Sequence, residues 1–404
     1  IFLMMEKLMS NAEYSNSSFG PETVLTHLGR NPSDQNGFVN TPVVRGSTVL
    51  FDSHEDLLAG KSPYKYGRHG NPTNDAVKDV ITQLECAYDT LLTPSGLSAI
   101  STTLLAVAHA GDHVLISDSS YEPTRHFCET VLRANNVDVE YYDPRIGNRI
   151  STLIRTNTKA IHTESPGSLT FEVQDLPAIV EARGDRDIAI IADNSWATPL
   201  YYKPLEMGAD IVIHAGTKMF VGHSDVLFGT ISANEKWADK VKATYTALGV
   251  CVSPEDSFLV ARGLRTLAIR MKEHERRALE LAQWLEANPI VEKVFHPALP
   301  QHPDHDVFMR DFTGSGSLFG FSLLPAPQNA VSELLNHLRL FGMGYSWGGF
   351  ESLILPITIK NQRSATKWLE KGNLFRVHVG LEDFDDLKSD LADGFERYKL
   401  AADL

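Results

Sequence analysis

Short apolar segments alternate with helical patterns from about residue 70 to residue 265. Four of these segments have the pattern of buried strands and cover 113–117, 160–162, 187–192 and 210–213. Strands that alternate with helices predict an α/β domain in which a mostly parallel sheet carries helices on both faces. The last ~110 residues mix strand patterns, at 318–324 and 375–379, with helical ones. They predict a smaller α+β domain at the C-terminal end.

The junction between these two patterns is predicted to be helical. Ser253 is a typical N-cap, Pro254 suits a first turn, and acidic residues follow. We expect the helical stretch to run to about residue 287, with a bend at Gly263. The chain is thereby predicted to divide into 1–70, a large domain at 71–266 and a small domain at 267–404. The first ~20 residues, rich in Asn, Ser and Glu, predict a mobile arm.

Lys218 follows the apolar segment 210–213, and Asp193 ends the apolar segment 187–192. If the two strands are parallel neighbours, they deliver an amine and a carboxylate to one edge of the sheet. Burial favours the neutral, nucleophilic form of the amine. This pair suits pyridoxal phosphate (PLP), which forms a Schiff base with a lysine and pairs its pyridinium nitrogen with a carboxylate. A solvated lysine and a helix-capping aspartate are the alternatives.

Two segments carry candidate phosphate ligands. Residues 93–111 predict a turn and then a helix that ends at Gly111, with free N–H groups at Gly96 and Leu97. A loop with Tyr66 and Arg68 adds a phenol and a forked guanidinium. A plain capped helix and a surface arginine are the alternatives. The chain lacks a glycine-rich dinucleotide motif after a strand and a Walker lysine motif, which argues against those nucleotides.

The composition narrows the classes of partner. A formal net charge of −14 argues against nucleic acid and anionic membranes, and no apolar run approaches the ~20 residues that span a bilayer. The opening apolar residues stop at Glu6, so we expect no secretory signal, and Met9 is a candidate natural start. Cys86, Cys128 and Cys251 lack metal-like spacing and predict reduced core thiols in a cytoplasmic protein.

Nine motifs occur in one order along the chain. They are Tyr-Gly-Arg (66–68), Pro-Ser-Gly (94–96), Tyr-Glu-Pro (121–123), Glu-Ser-Pro-Gly-Ser (164–168), Asp-Asn-Ser-Trp-Ala (193–197), Gly-Thr-Lys with Gly-His-Ser-Asp (216–225), Arg-Gly-Leu-Arg-Thr-Leu (262–267), Tyr-Ser-Trp-Gly-Gly-Phe-Glu-Ser (345–352) and Arg-Val-His-Val-Gly-Leu-Glu-Asp (376–383). From about residue 20 the chain thus resembles the Cys/Met-metabolism branch of the PLP-dependent enzymes, which have the aspartate aminotransferase-type (type I) fold. Within this branch, the presence of Trp196 and Trp347 makes the chain most similar to the bacterial cystathionine β-lyases.

The resemblance implies a seven-stranded sheet in the large domain and a role for each matching residue. Lys218 would hold PLP as a Schiff base, Asp193 would pair with the pyridinium, and Tyr121 would stack on the ring; these three are the implied catalytic residues. The implied phosphate contacts are Gly96, Leu97, Gly216 and Thr217. The implied substrate contacts are Arg376 for the α-carboxylate, with Ser346 and Trp347. Tyr66 and Arg68 would reach PLP from a neighbouring subunit of a homotetramer built from dimers, with Tyr66 also contacting substrate.

The implied reaction is α,β-elimination of L-cystathionine to homocysteine, pyruvate and ammonia, a transsulfuration step of methionine biosynthesis. The substrate class is thus a small sulfur amino acid. Relatives that act at the γ carbon are the alternative: cystathionine γ-synthase, cystathionine γ-lyase and methionine γ-lyase. They share Lys218, Asp193 and the phosphate loop, so the two tryptophans alone favour β cleavage.

Two other site types are weaker alternatives. Residues 344–348 match the G-x-S-x-G elbow of serine hydrolases, with Ser346 as nucleophile and Glu370 and His378 as partners. The double glycine that follows is a poor helix start, which argues against an elbow. A His- and Asp-containing stretch at 296–306 is more typical of a solvated loop than of a metal site.

Overall fold

The computed structural model describes residues 19–359 and 362–404, so the predicted arm lies almost wholly outside the described residues. Its larger sheet has seven strands in the spatial order β1-β7-β6-β5-β4-β2-β3. The strands are β1 (Asp89–Thr93), β2 (His113–Ser117), β3 (Asp138–Tyr142), β4 (Thr158–Glu164), β5 (Ala189–Asp193), β6 (Ile211–His214) and β7 (Gly229–Ala233). Only β7 runs antiparallel to its neighbours. The predicted mostly parallel, seven-stranded sheet is confirmed.

The central strands are apolar because helices cover both faces of the sheet. Strands β2, β5, β6 and β7 are buried along their whole length, as expected for parallel sheets. The α-helices are α1 (Pro21–His27), α2 (His54–Ala59), α3 (Pro72–Glu85), α4 (Gly96–Val107), α5 (Glu122–Phe127), α6 (Leu176–Arg183), α7 (Thr198–Tyr201), α8 (Glu235–Ala247), α9 (Pro254–Leu264), α10 (Leu267–Glu286), α11 (His305–Asp311), α12 (Gln328–Leu335) and α13 (Phe384–Ala402).

The C-terminal residues form the predicted α+β unit. A four-stranded antiparallel sheet has the order β10-β11-β9-β8. Its strands are β8 (Val291–Phe295), β9 (Leu318–Leu323), β10 (Leu353–Ile357) and β11 (Asn373–His378). Phe321 and Phe375 stack across β9 and β11, with ring centroids 5.3 Å apart, and join one core with residues of α12 and α13.

The helical stretch runs from Pro254 to Glu286, close to the predicted end, but it consists of two helices: α9 ends at Leu264 and α10 begins at Leu267. The interruption thus lies two residues after Gly263, where a bend was predicted. The predicted N-cap is correct, since Ser253 Oγ accepts the Glu255 N–H. Gly263 allows close packing, because a Cβ there would lie 2.4 Å from the carbonyl oxygens of Phe220 and Val221. The predicted domain boundary at 266–267 falls at the helix break and stays a prediction.

The prediction that all three cysteines are core thiols is wrong. Cys128 is buried, but Cys86 and Cys251 are exposed. Cys86 ends α3 in a left-handed conformation (φ 55°), which turns the chain at the surface. Across residues 19–359 and 362–404, no helix is both long and apolar enough to cross a membrane.

Candidate active site

A cavity of about 360 Å³ lies where the carboxyl ends of the parallel strands meet the small domain. Its volume falls within the range of about 300–1,000 Å³ that is usual for small-molecule sites. One side is formed by residues at or just after β4, β5 and β6, and the other by a loop and strand of the small domain. We call Glu164, Asp193, Ser195 and Lys218 the strand-end wall, and Tyr345, Ser346, Trp347 and Arg376 the loop wall.

Asp193 ends β5, and Lys218 follows the adjacent parallel strand β6, as predicted. Asp193 is opposite Ile213 in the register of β5 and β6, and Lys218 follows in the turn after β6. Burial, together with the positive charge of Arg376, lowers the pKa of Lys218 to about 8, while Asp193 opposes the shift. An amine with this pKa has a substantial neutral fraction near physiological pH, which general-base and nucleophilic chemistry both require.

Asp193 is oriented by Ser195. One oxygen of Asp193 accepts both the backbone N–H of Ser195 at 2.9 Å and its hydroxyl at 2.6 Å. The Ser195 oxygen in turn accepts the Ala215 N–H at 2.7 Å, so its proton points towards Asp193. These two bonds fix the orientation of the Asp193 side chain, which is buried and lines the cavity.

The start of α4 forms the predicted phosphate end of the cavity. The helix begins at Gly96, and the side chain of its N-cap Ser95 accepts the Ser98 N–H. The first N–H groups of a helix lack intrahelical partners, and Gly96 and Leu97 line the cavity. Gly96 is required by close approach, because a Cβ there would lie 2.6 Å from the Cβ of Ala215.

The other two predicted phosphate contacts differ in position. Thr217 lines the cavity, and its hydroxyl accepts the Phe228 N–H at 2.8 Å. Gly216 is buried and is not among the lining residues, because it packs on Phe228: a Cβ at 216 would lie 2.7 Å from that ring. Thr217 is thus the better placed of the two.

The loop wall brings the predicted substrate contacts close to Lys218. Lys218 Nζ donates to the Ser346 hydroxyl at 2.6 Å and lies 5.7 Å from the centroid of the Trp347 ring. Arg376 projects from β11 and donates one bond, at 3.2 Å, to the Ser346 carbonyl, which leaves other guanidinium N–H groups for a ligand. Gly348 (φ 86°) packs on the lysine, since a Cβ there would lie 2.9 Å from the Lys218 carbonyl carbon.

Tyr121 and Trp196 complete the cavity lining. Tyr121 precedes α5 and is 45% exposed, so its ring is available to a ligand. Burial raises the pKa of Tyr121, and Glu164 adds to the effect. Trp196 is buried, donates from Nε1 to the Leu318 carbonyl at 2.7 Å, and packs edge-on against Phe308 and Phe312. It therefore connects the large domain to β9.

Tyr66 and Arg68 do not line this cavity in the single chain. Tyr66 is 46% exposed. Arg68 donates at 3.2 Å to the Thr246 carbonyl and lines a separate cavity of about 260 Å³ with Lys242 and Tyr245. Their predicted contact with a cofactor requires another chain.

The serine-hydrolase interpretation of Ser346 is wrong. Residues 344–352 form a loop, and the next element is strand β10 instead of a helix. His378 contacts Ser317 at 2.8 Å and the backbone of Gly348 and Gly349, and Glu370 pairs with Lys293. Ser346 therefore has neither triad partner.

The stretch 296–306 is packed, contrary to the expected solvated loop. His296 is fully buried and packs on Trp196 and Phe319. Asp304 accepts a hydrogen bond from Arg145 at 2.7 Å. Among the residues that the structure describes, no group of three or more His, Cys, Asp or Glu side chains is arranged to hold a metal ion.

Sequence reasoning did not single out every residue that lines the cavity, and Glu164, Ser195 and Tyr345 are among those it missed. Glu164 ends β4 and is opposite Asp193 in the register of β4 and β5. The motif that begins with Glu164 was recognised in the sequence, but Glu164 itself was not assigned a role. The signal for such a role would have been its position at the end of a strand, at the same sheet edge as the end of β5. Ser195 and Tyr345 lie beside predicted residues and gave no separate signal.

The chain is similar to several known proteins over most of its length. A family model described as "Cys/Met metabolism PLP-dependent enzyme" matches residues 22–396. A putative cystathionine beta-lyase of Rhizobium johnstonii is 47% identical over 93% of this chain and 96% of its own length. The cystathionine beta-lyase of Haemophilus influenzae is 42% identical over 93% and 98%. The crystal structure of cystathionine gamma synthase from Xanthomonas oryzae pv. oryzae, in complex with aminoacrylate and cysteine, has a TM-score of 0.88, 29% identity, and coverage of 95% and 100%.

Proposed function

The chain belongs to the Cys/Met metabolism PLP-dependent enzymes, and from that premise we propose that its cavity performs α,β-elimination of L-cystathionine. The products, formed with one water, are homocysteine, pyruvate and ammonia. The observation that carries the proposal is the meeting of Lys218, Asp193, Tyr121 and Arg376 in one cavity. Relatives named cystathionine beta-lyase, at 42–47% identity, support the choice of reaction.

The residues present fit PLP. The cavity offers an amine of lowered pKa, a carboxylate oriented by Ser195, an available aromatic ring and a helix N-terminus. In the proposed arrangement Lys218 would hold the cofactor covalently, Asp193 would pair with its pyridinium nitrogen, and Tyr121 would stack on the ring. Gly96, Leu97 and Thr217 would hold the phosphate. When bound, the cofactor supplies an electron sink for the negative charge that develops at the substrate Cα.

Each protein group then has one task. Arg376 clamps the α-carboxylate with a forked pair of hydrogen bonds, which fixes the direction of the Cα–H bond. Lys218 Nζ would be freed when the substrate amine takes its place on the cofactor. It would then take the Cα proton and later give it to the leaving sulfur. Its pKa of about 8 permits both roles near neutral pH. The Ser346 hydroxyl, 2.6 Å from Nζ, holds the free amine on the substrate side of the cavity.

We also propose that Tyr66 and Arg68 complete the site from a neighbouring chain. Both lie outside the cavity of their own chain, and Tyr66 is 46% exposed. A phenol and a guanidinium are suitable donors for a phosphate. The proposal includes a homotetramer built from dimers, in a cytoplasmic protein of methionine biosynthesis.

The alternative is a relative that acts at the γ carbon, because the similar crystal structure is of a γ-synthase. The two activities give different products. We expect the PLP-loaded protein to convert L-cystathionine to pyruvate and homocysteine, identified by mass spectrometry, with the protein lacking PLP as control. Formation of 2-oxobutyrate and cysteine would establish γ cleavage and contradict the proposal.

A further inference from the structure

Glu164 is a second carboxyl group beside Asp193. It ends β4, and the parallel register places it opposite Asp193 of β5, so both side chains leave the same face of the sheet. Glu164 lines the cavity and retains only partial exposure. Its Oε2 accepts the backbone N–H of Tyr121 at 2.7 Å. It therefore contacts the residue whose ring faces the cavity.

The two carboxyl groups have different surroundings. Asp193 receives two donors from Ser195 on one oxygen. Glu164 receives the Tyr121 N–H and a hydrogen bond from the Ser168 side chain. Burial, with the negative charge of Asp193, raises the pKa of Glu164 well above its ordinary value. Two neighbouring carboxyl groups do not both ionise readily, and these surroundings favour a proton on Glu164.

The neighbouring titratable group on β4 carries no charge that would reverse this assignment. His162 lies two residues before Glu164 on β4 and is fully buried. Burial lowers the pKa of His162 to about 4, so it is neutral at physiological pH. Its Nδ1 contacts the Ser120 hydroxyl at 3.3 Å. Strand β4 thus holds both residues of the turn before α5, Ser120 through His162 and Tyr121 through Glu164.

We propose that Glu164 is a positioning residue: in its protonated form it fixes the backbone of Tyr121, and so the ring that stacks on the cofactor, while Asp193 remains the charged partner. This inference rests on the proposed stacking of Tyr121 on PLP. A neutral carboxyl keeps the carbonyl oxygen that accepts the Tyr121 N–H. It also avoids a second negative charge beside the pyridinium.

The test uses PLP affinity and the circular dichroism of bound PLP, which depends on how the ring is held. Glu164→Leu removes the acceptor, and we expect the Kd for PLP to rise about tenfold, with a reduced dichroic band. Glu164→Gln keeps a neutral acceptor, and we expect it to restore the Kd to within about twofold. In a Tyr121→Ala background, Glu164→Leu should add less than about twofold, because its effect passes through that ring.

Each alternative result contradicts a defined step. If Glu164→Gln weakens PLP binding as much as Glu164→Leu, the charged form is needed and the proposal fails. If the Glu164→Leu and Tyr121→Ala effects multiply, Glu164 does not act through Tyr121. An unchanged Kd and dichroism in Tyr121→Ala would refute the stacking on which the inference rests. Pyruvate formation by wild-type protein is measured separately, so failure of the proposed reaction is distinguishable.

A pH measurement without cofactor decides the protonation state even if Glu164→Leu does not fold. A carboxyl whose pKa is raised by folding stabilises the protein fully below its ordinary value near 4.5 and loses that contribution as pH rises through the folded value. Unfolding of wild type should therefore become easier relative to Glu164→Gln as pH rises above 4.5. A constant difference between the two proteins would show that Glu164 is not held protonated.

Discussion

The two walls of the cavity are built in different ways. The strand-end wall carries Asp193 and Lys218 at or just after buried parallel strands, whose register sets their spacing. The loop wall has a 90% exposed Tyr345 and a Ser346 with a left-handed backbone (φ 78°). The first wall is positioned by the large sheet, and the second by a loop, except for Arg376, which projects from β11. Because the sheet is part of the core, the first wall is the more rigid of the two.

This difference assigns different tasks to the walls. A cofactor needs fixed partners at its amine, nitrogen and phosphate ends, and the strand-end wall together with the start of α4 provides them. A substrate must enter and leave, and the loop wall lies on that side. We therefore expect substitutions in the strand-end wall to alter PLP binding, and those in the loop wall to alter kcat/KM with PLP binding intact.

Lys218 belongs to the strand-end wall but also contacts Ser346 of the loop wall. Its loss should therefore abolish both the attachment of PLP and the turnover of substrate. We expect Lys218→Ala to lose the visible absorbance of lysine-bound PLP and about 10³-fold or more of its cystathionine turnover. Absorbance spectra and pyruvate assays measure both. Lys272→Ala, at an exposed lysine of α10 that pairs with Glu22, is the control. Full turnover by Lys218→Ala would remove Lys218 from the reaction.

Substitution of Arg376 tests the binding of substrate separately from the binding of PLP. A lysine retains the positive charge but not the fork, so Arg376→Lys should lose about 10- to 100-fold in kcat/KM. The Kd for PLP should stay within about twofold. Arg339→Lys, at an exposed arginine of the small domain, is the matched control. An unchanged kcat/KM would exclude Arg376 as the carboxylate clamp, and a large loss of PLP affinity would contradict the division between the walls.

Half of the strand-end wall was predictable from sequence, because buried parallel strands are short apolar runs and their ends are marked by polar residues. Asp193 and Lys218 were found in this way. Glu164 was not, since its importance depends on the neighbouring strand, and register is a tertiary property. The same holds for the phosphate end: free N–H groups at Gly96 follow from a helix start, whereas the position of Gly216 behind the cavity depends on Phe228.

The loop wall was predictable only through resemblance. No periodic pattern marks residues 344–349, and the local motif suggested a hydrolase elbow that the fold does not form. The break between α9 and α10 was missed for a related reason. Helical propensity continues through 265 and 266, but Arg270 donates to the Met219 and Gly263 carbonyls and so packs the lysine turn against both helices. Long-range contacts of this kind override local propensity.

Substitutions of Ser346 have the smallest expected effects and test the backbone of the loop wall most directly. A serine with φ of 78° is strained, and glycine relieves this strain without a side chain. Ser346→Ala and Ser346→Gly both lose the hydrogen bond from Lys218, so each should lose up to about tenfold in kcat/KM. Only the glycine variant should gain stability, by about 1 kcal/mol over the alanine variant in urea unfolding. Equal stability of the two would mean that the loop wall stores no backbone strain. Full kcat/KM in Ser346→Ala would show that the hydroxyl does not position the lysine.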